Sequence, residues 1–94
     1  MTIRTFEVEV NQIVRVTLDD AKFDDAFMQE FREGFYPFFT LADHADHIAQ
    51  LVARGICEPA KHSSEFIEGY GPSSDMGITG EVLATYVENL GEQP

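Results

Sequence analysis

The sequence has little cysteine, little positive charge and no tryptophan. Its 94 residues include one cysteine and six lysines and arginines, against 17 aspartates and glutamates, so the formal net charge is −11. A single cysteine, Cys57, cannot form an internal disulfide, which excludes a disulfide-stapled secreted scaffold and favours a reducing cytosol. The excess of negative charge disfavours direct binding to nucleic acid or to an anionic membrane, because both are polyanions.

We also expect neither a membrane span nor a signal peptide. No apolar run approaches the roughly 20 residues that cross a bilayer, and the N-terminal residues lack the charged and then apolar layout of a secretion signal. The chain is nevertheless 44% hydrophobic and 12% aromatic, which suffices for a packed core. We therefore expect one soluble domain over residues 1–94, located in the cytoplasm and without a cofactor.

The N-terminal part of the chain is predicted to form paired strands. Thr5–Val10 and Ile13–Leu18 each alternate apolar and polar residues, which is typical of half-buried strands. Because only Asn11 and Gln12 separate the two runs, we predict an antiparallel hairpin over Phe6–Leu18.

The segment Asp24–Gly34 is predicted to form a helix. Asp24 is a suitable N-cap, since its carboxylate can accept hydrogen bonds from the first backbone N–H groups. Apolar side chains recur on one face at helical spacing: Phe23, Phe27, Met28, Phe31 and Phe35. The connector Tyr36–Phe39 is too aromatic for a free surface loop, so we expect its rings and the phenylalanines of this stripe to fill the core.

A second helix is predicted over Thr40–Arg54. Thr40 and Asp43 resemble a capping box, and Gly55 stands where a left-handed residue commonly ends a helix. The apolar residues of this segment share one face: Leu41, Ala45, Ile48, Ala49 and Val52.

The C-terminal third is ambiguous. Glu65–Tyr70 can form a short strand, whereas residues 78–90 fit a helix on the spacing of Val82, Leu83, Tyr86, Val87 and Leu90. Their residue types prefer strands, so a strand that completes the sheet is the alternative. The predicted fold class is α+β, with a small antiparallel sheet (the N-terminal hairpin plus one or two later strands) covered by two to three helices.

Residue types that bind metals lie close together in the second predicted helix. Asp43 and His47 are neighbours on its surface, and so are His44 and His47. A closed site needs three or four ligands, and the nearest others, Cys57 and His62, belong to another segment. Carboxylates at a helix N-terminus are explained by the helix dipole, so we expect no metal site.

Nucleophilic catalysis finds no better support. Cys57 could be paired with a histidine, but a lone cysteine after a helix is more often a small buried hydrophobe. The two Ser-Ser pairs, at residues 63–64 and 73–74, lack the glycines of a nucleophile elbow. Phosphate-binding glycine patterns are missing too. We therefore expect no catalytic residues and no enzyme.

The acidic residues themselves are the remaining candidate site. The carboxylates proposed to contact a partner are Asp19, Asp20, Asp24, Asp25, Glu30, Glu33, Asp43 and Asp46. Duplex DNA carries one charge per roughly 1.7 Å of axis, and carboxylates spread over helices and strands can approximate such an array. The expected partner is a basic nucleic-acid-binding protein, and a monomer is favoured. The alternative is an adaptor or structural protein that binds its partner through apolar surface.

Two segments carry a resemblance to a known group. Phe23–Arg32 and Phe66–Pro72, together with the small size and the acidity, resemble small proteins of phages and mobile elements in proteobacteria. Within that group the chain is similar to anti-CRISPR proteins that act on type I systems. The resemblance implies an inhibitor that blocks DNA binding by a type I interference complex (Cascade) in the bacterial host cell. For the alternative, it implies an adaptor or structural protein of a phage or mobile element. It assigns no individual binding residue.

Overall fold

The computed structural model describes residues 2–60 and 64–94. In chain order the elements are β1 (Thr5–Thr17), a 3-10 turn (Asp20–Lys22), α1 (Asp25–Gly34), α2 (Leu41–Ala53), β2 (Phe66–Ile67), β3 (Gly71–Pro72), a second 3-10 turn (Ser73–Met76) and β4 (Thr79–Gln93). Strands β1 and β4 pair in one antiparallel sheet, and β2 and β3 pair in another. The predicted α+β class, with a small antiparallel sheet against which helices pack, is confirmed.

Strands β1 and β4 form a long two-stranded ribbon, which dominates the shape of the molecule. Pairing runs from Thr5 opposite Gln93 to Thr17 opposite Thr79, and thirteen strand residues extend about 43 Å. The molecule accordingly measures 57 × 30 × 22 Å. We call residues 5–13 and 84–93 the outer ribbon, and residues 18–60 and 64–78 the body.

The predicted hairpin over Phe6–Leu18 is wrong. Strand β1 continues through Asn11 and Gln12, and its partner is β4 at the other end of the chain. A two-residue hairpin turn needs left-handed backbone, which favours Asn-Gly or similar pairs. Neither Asn11 nor Gln12 has a positive φ, and the chain passes straight through both.

The helix predicted over residues 78–90 is also wrong, and the alternative, a strand that completes the sheet, is confirmed. Strand β4 contains two bulges, where Leu83 and Leu90 are extra residues without a partner in β1. Each extra residue shifts the two-residue alternation by one position. Val82 and Val87, five residues apart, therefore share a face, and this spacing imitates the period of a helix.

The two faces of the ribbon differ in chemistry. One face, which we call the apolar face, carries Phe6, Val8, Val10, Val14, Val16, Val82 and Val87. The other, which we call the polar face, carries Glu7, Glu9, Arg15, Glu81 and Glu88 among its residues. Helix α2 packs against the inner end of the apolar face, where Val14 and Val16 contact the core. A Cβ at Gly80 would lie 2.8 Å from Val52 of α2, so this close approach requires glycine.

The core lies in the body. Its buried apolar side chains are Phe23, Met28, Phe31, Ile48, Val52, Cys57, Ile67, Tyr70, Met76 and Ile78. The expectation that the whole aromatic stripe and connector are buried is partly wrong. Phe35, Tyr36 and Phe39 are exposed, and Phe27 and Phe38 are half-buried. Helix α1 ends at Gly34, so the chain turns away from the core there, and Phe39 instead lies beneath the Arg32 guanidinium at 4.9 Å.

Both predicted helices are confirmed, including their caps. Asp24 caps α1, and Thr40 and Asp43 form the capping box of α2. Gly55 follows α2 with a φ of 71°. The buried side chains of α2 are His44, Ile48 and Val52, whereas Leu41 in its first turn is exposed. The short strand predicted within Glu65–Tyr70 is present as the two residues of β2.

Candidate functional site

Three of the eight predicted partner-binding carboxylates stabilise their own chain. Asp19 and Asp24 accept backbone hydrogen bonds at the starts of the first 3-10 turn and α1. Asp43 accepts hydrogen bonds from the backbone N–H groups of Phe39 and Thr40, which lower the pKa of its carboxyl. Local capping therefore explains these three positions without a partner.

The other five predicted carboxylates are exposed on the body: Asp20, Asp25, Glu30, Glu33 and Asp46. None of them forms an ion pair with a residue that the structure describes. Glu33 accepts a hydrogen bond of 3.1 Å from the side-chain amide of Gln29. These five side chains are accessible to a partner, and their role in binding stays a prediction.

The polar face carries a cluster of three glutamates that was not among the sites predicted from the sequence. Glu9 and Glu88 are direct cross-strand partners, and Glu7 lies two residues along β1 on the same face. We call Glu7, Glu9 and Glu88 the acidic ribbon cluster. All three are exposed. Side chains directly opposite in an antiparallel pair stand about 5 Å apart at Cβ, so two negative charges are held side by side.

The arginines of the ribbon are engaged elsewhere. Arg15 pairs with Glu81 at 3.3 Å near the body, and Arg4 pairs with Glu92 at 2.7 Å at the far end. The hydrogen bond from Arg4 lowers the pKa of Glu92. Within residues 2–60 and 64–94, no ion pair involves the acidic ribbon cluster. Described side chains therefore leave the charge of this cluster unneutralised.

Alternation along β1 already places Glu7 and Glu9 together, so the sequence contains part of this signal. Glu88 could not be added, because its position depends on the register between strands about 80 residues apart and on the bulge at Leu83.

His44 belongs to the core. It is fully buried among aromatic rings, with Phe31 at 4.7 Å between ring centroids. Its Nδ1 shares a hydrogen bond of 2.8 Å with the hydroxyl of Tyr70, whereas its Nε2 has no hydrogen-bond partner among the described residues. Burial lowers the pKa of His44. No three metal-binding side chains come together in the described part of the chain.

Cys57 and His47 line one cleft of about 220 Å³, next to Tyr36 and Phe66. The thiol is buried, and burial, followed by the negative charge of Glu65, raises its pKa. No hydrogen bond joins these two side chains in the described residues. His62, the third histidine considered beside Cys57, lies outside the described residues.

The serine pairs have structural contacts. The Ser73 hydroxyl accepts a hydrogen bond from the backbone N–H of Glu65, and the Ser74 hydroxyl donates one to Ser64. Ser63 lies outside the described residues. These contacts hold the second 3-10 turn against the segment that leads into β2.

In residues 2–60 and 64–94, no helix has the length and apolar character needed to cross a membrane. Comparisons with protein-family models, curated proteins and solved structures found no match to this chain. The surfaces of the molecule are therefore the basis for a functional proposal.

Proposed function

We propose that this protein is a non-catalytic acidic inhibitor that occupies the nucleic-acid-binding surface of a basic protein in the bacterial cytoplasm. One observation carries the proposal: Glu9 stands directly opposite Glu88, with Glu7 beside them and no described cation paired to any of the three. Like charges directly opposite in a sheet are destabilising. A cationic partner surface would convert that repulsion into attraction.

The placement of this cluster suits the role. It lies on the outer ribbon, away from the body, so a partner can approach it freely. The exposed carboxylates of the body and the net charge of −11 add a long-range field that steers a basic surface toward the molecule. Lysine and arginine side chains that bind phosphates can bind carboxylates instead.

The resemblance to anti-CRISPR proteins supplies the specific target of the proposal, the DNA-binding surface of a type I interference complex. The buried thiol of Cys57 supports a non-catalytic role. A buried thiol with a raised pKa holds little thiolate and is a weak nucleophile.

A competition experiment tests the proposal. The purified protein is titrated into a type I interference complex that holds labelled target DNA. We expect it to displace the DNA, and we expect excess DNA to displace it in turn. Binding should weaken at least tenfold between about 50 mM and about 500 mM salt, because screening removes charge attraction. Simultaneous binding of DNA and inhibitor, or equal affinity at both salt concentrations, would contradict DNA mimicry.

A matched pair of triple variants tests the site. The first variant changes Glu7, Glu9 and Glu88 to glutamine. The control removes the same charge elsewhere through Glu58→Gln, Glu68→Gln and Asp75→Asn, all at exposed positions. We expect the first to weaken binding about tenfold more than the control, because close charge pairs are lost as well as long-range attraction. Equal losses would show that the ribbon cluster does not contact the partner.

The apolar face favours a second candidate function, an adaptor that binds its partner through apolar surface. Phe6, Val10 and Val87 of the outer ribbon are 49%, 59% and 67% exposed. Binding by such a surface should persist at high salt, whereas binding by the acidic ribbon cluster should not. The same salt titration therefore separates the two functions.

A further inference from the structure

The apolar face is covered over only part of its length. Helix α2 packs against the inner end, and no element in the described part of the chain covers Phe6, Val8, Val10 or Val87, which are 47–67% exposed. A two-stranded ribbon with a bare apolar face is marginally stable in water, whereas further strands or a packed helix make it stable. The outer ribbon therefore lacks the contact that would stabilise it.

The bulge at Leu83 places apolar residues of β4 on the same face as the valines of β1. Without the extra residue Leu83, Val82 and Val87 would lie on opposite faces, because five residues separate them. With it, Val87 stands opposite Val10 and Val82 opposite Val14, so that these valines share one face on either side of the polar pair Gln12 and Thr85. Register is specified in this way where a face is buried.

The charges of the ribbon indicate which partner fits. Arg4 and Glu92 are the charged residues at the end of the apolar face. They neutralise each other, and the Arg4 guanidinium lies over the Phe6 ring at 5.5 Å. The acidic ribbon cluster lies on the opposite face. Two copies can therefore bring their apolar faces together without burying unpaired charge, and each presents to the other the same neutral row of side chains.

The area is that of a small interface. Five side chains of the apolar face, Phe6, Val8, Val10, Val82 and Val87, are 43–67% exposed. Together they present on the order of 400 Å² per copy. Two copies would bury about 800 Å², which corresponds to a weak and reversible association.

We propose that a second copy of this chain covers the outer ribbon. The two ribbons pack apolar face to apolar face around a two-fold axis, as is usual for identical subunits. Both acidic ribbon clusters then lie on the outer surfaces of the dimer. This reversible dimer replaces the monomer expected from the sequence, and it does not depend on the proposed inhibitory function.

Sedimentation velocity over concentrations from about 1 to about 200 µM, spanning the range of a weak association, tests the proposal. The wild-type chain should shift from monomer to dimer. Val10→Lys should weaken the dimer at least tenfold, whereas the control Asn11→Lys, at the neighbouring position on the polar face, should not. Both variants make the net charge less negative, so a loss of dimer cannot come from greater overall repulsion between two acidic copies. Circular dichroism establishes that each variant is folded.

If Val10→Lys unfolds the chain, Val10→Thr takes its place, because it keeps the side-chain shape and adds one hydroxyl. A severalfold weaker dimer is then expected. The proposal is overturned if the wild-type chain stays monomeric at the highest concentration, in which case the apolar face is free for a different protein. It is also overturned if Asn11→Lys weakens the dimer as much as the variant at Val10.

Discussion

The body and the outer ribbon contain the same kinds of residues and use them in opposite ways. In the body, Phe31 and Ile48 are 2% and 0% exposed, and even a histidine is buried. In the outer ribbon, every residue from Thr5 to Ile13 is exposed, the valines included. The difference indicates that the body stabilises the isolated chain, whereas the outer ribbon leaves its apolar side chains accessible to solvent.

Truncating one apolar side chain in each region should have very different effects on the free energy of unfolding. Phe31→Ala should lower the free energy of unfolding by about 3–5 kcal/mol, the usual cost of removing a buried phenylalanine ring. Val10→Ala should lower it by less than about 1 kcal/mol at concentrations where the chain is monomeric. Urea denaturation of both variants measures the two values. Similar losses at the two positions would show that the outer ribbon belongs to the stabilising core.

The helices of the body are also the part that could be predicted from the sequence. Their signals are local: Asp24 caps α1, and Thr40 reaches only to Asp43. The ribbon could not be predicted in the same way, because its pairing joins residues about 60 to 90 positions apart and its two bulges give β4 the apolar spacing of a helix. The same limit applies to the acidic ribbon cluster. The alternation of β1 predicts that Glu7 and Glu9 share a face, whereas the position of Glu88 depends on the register between β1 and β4.

The hydrogen bond between His44 and Tyr70 provides a smaller test within the body. Tyr70→Phe should lower the free energy of unfolding by about 1–3 kcal/mol, because it leaves Nδ1 of a buried imidazole without a partner. The double variant with His44→Phe removes both polar groups and should be less destabilised than the sum of the two single variants. Additive losses in urea denaturation would contradict an energetic link between the two side chains.

Acidification should lower the free energy of unfolding, because His44 is buried in its neutral form. Burial lowers the pKa of His44 in the folded chain below its ordinary value of 6.5, so the unfolded chain binds the proton first. The stability from neutral His44 is therefore complete above pH 6.5 and is lost as the pH falls toward the folded pKa. His47 contributes in the same direction. Urea denaturation at about pH 7.5 and about pH 5.5 should show a loss that His44→Gln reduces, and an equal loss in both proteins would contradict this origin.

Substitutions on the polar face of the ribbon should have the smallest effects on the free energy of unfolding, and two of them should differ in sign. Glu9→Gln should raise the free energy of unfolding by a few tenths of a kcal/mol, because it relieves the repulsion from Glu88. Glu81→Gln should leave it unchanged or lower it slightly, because it removes an exposed ion pair with Arg15. Thermal denaturation in low salt compares the two variants, and a loss of stability in Glu9→Gln would contradict the cost assigned to the facing carboxylates.

Amide hydrogen exchange at two protein concentrations tests the division between body and outer ribbon most directly. We predict that the amides of Val10 and Val87 exchange quickly in dilute solution and slow down as the concentration rises, because a second copy then covers the apolar face. The amide of Ile48, in the core of the body, should exchange slowly at both concentrations. Outer-ribbon amides that are as protected as Ile48 at the lower concentration, with no further change at the higher one, would contradict the account.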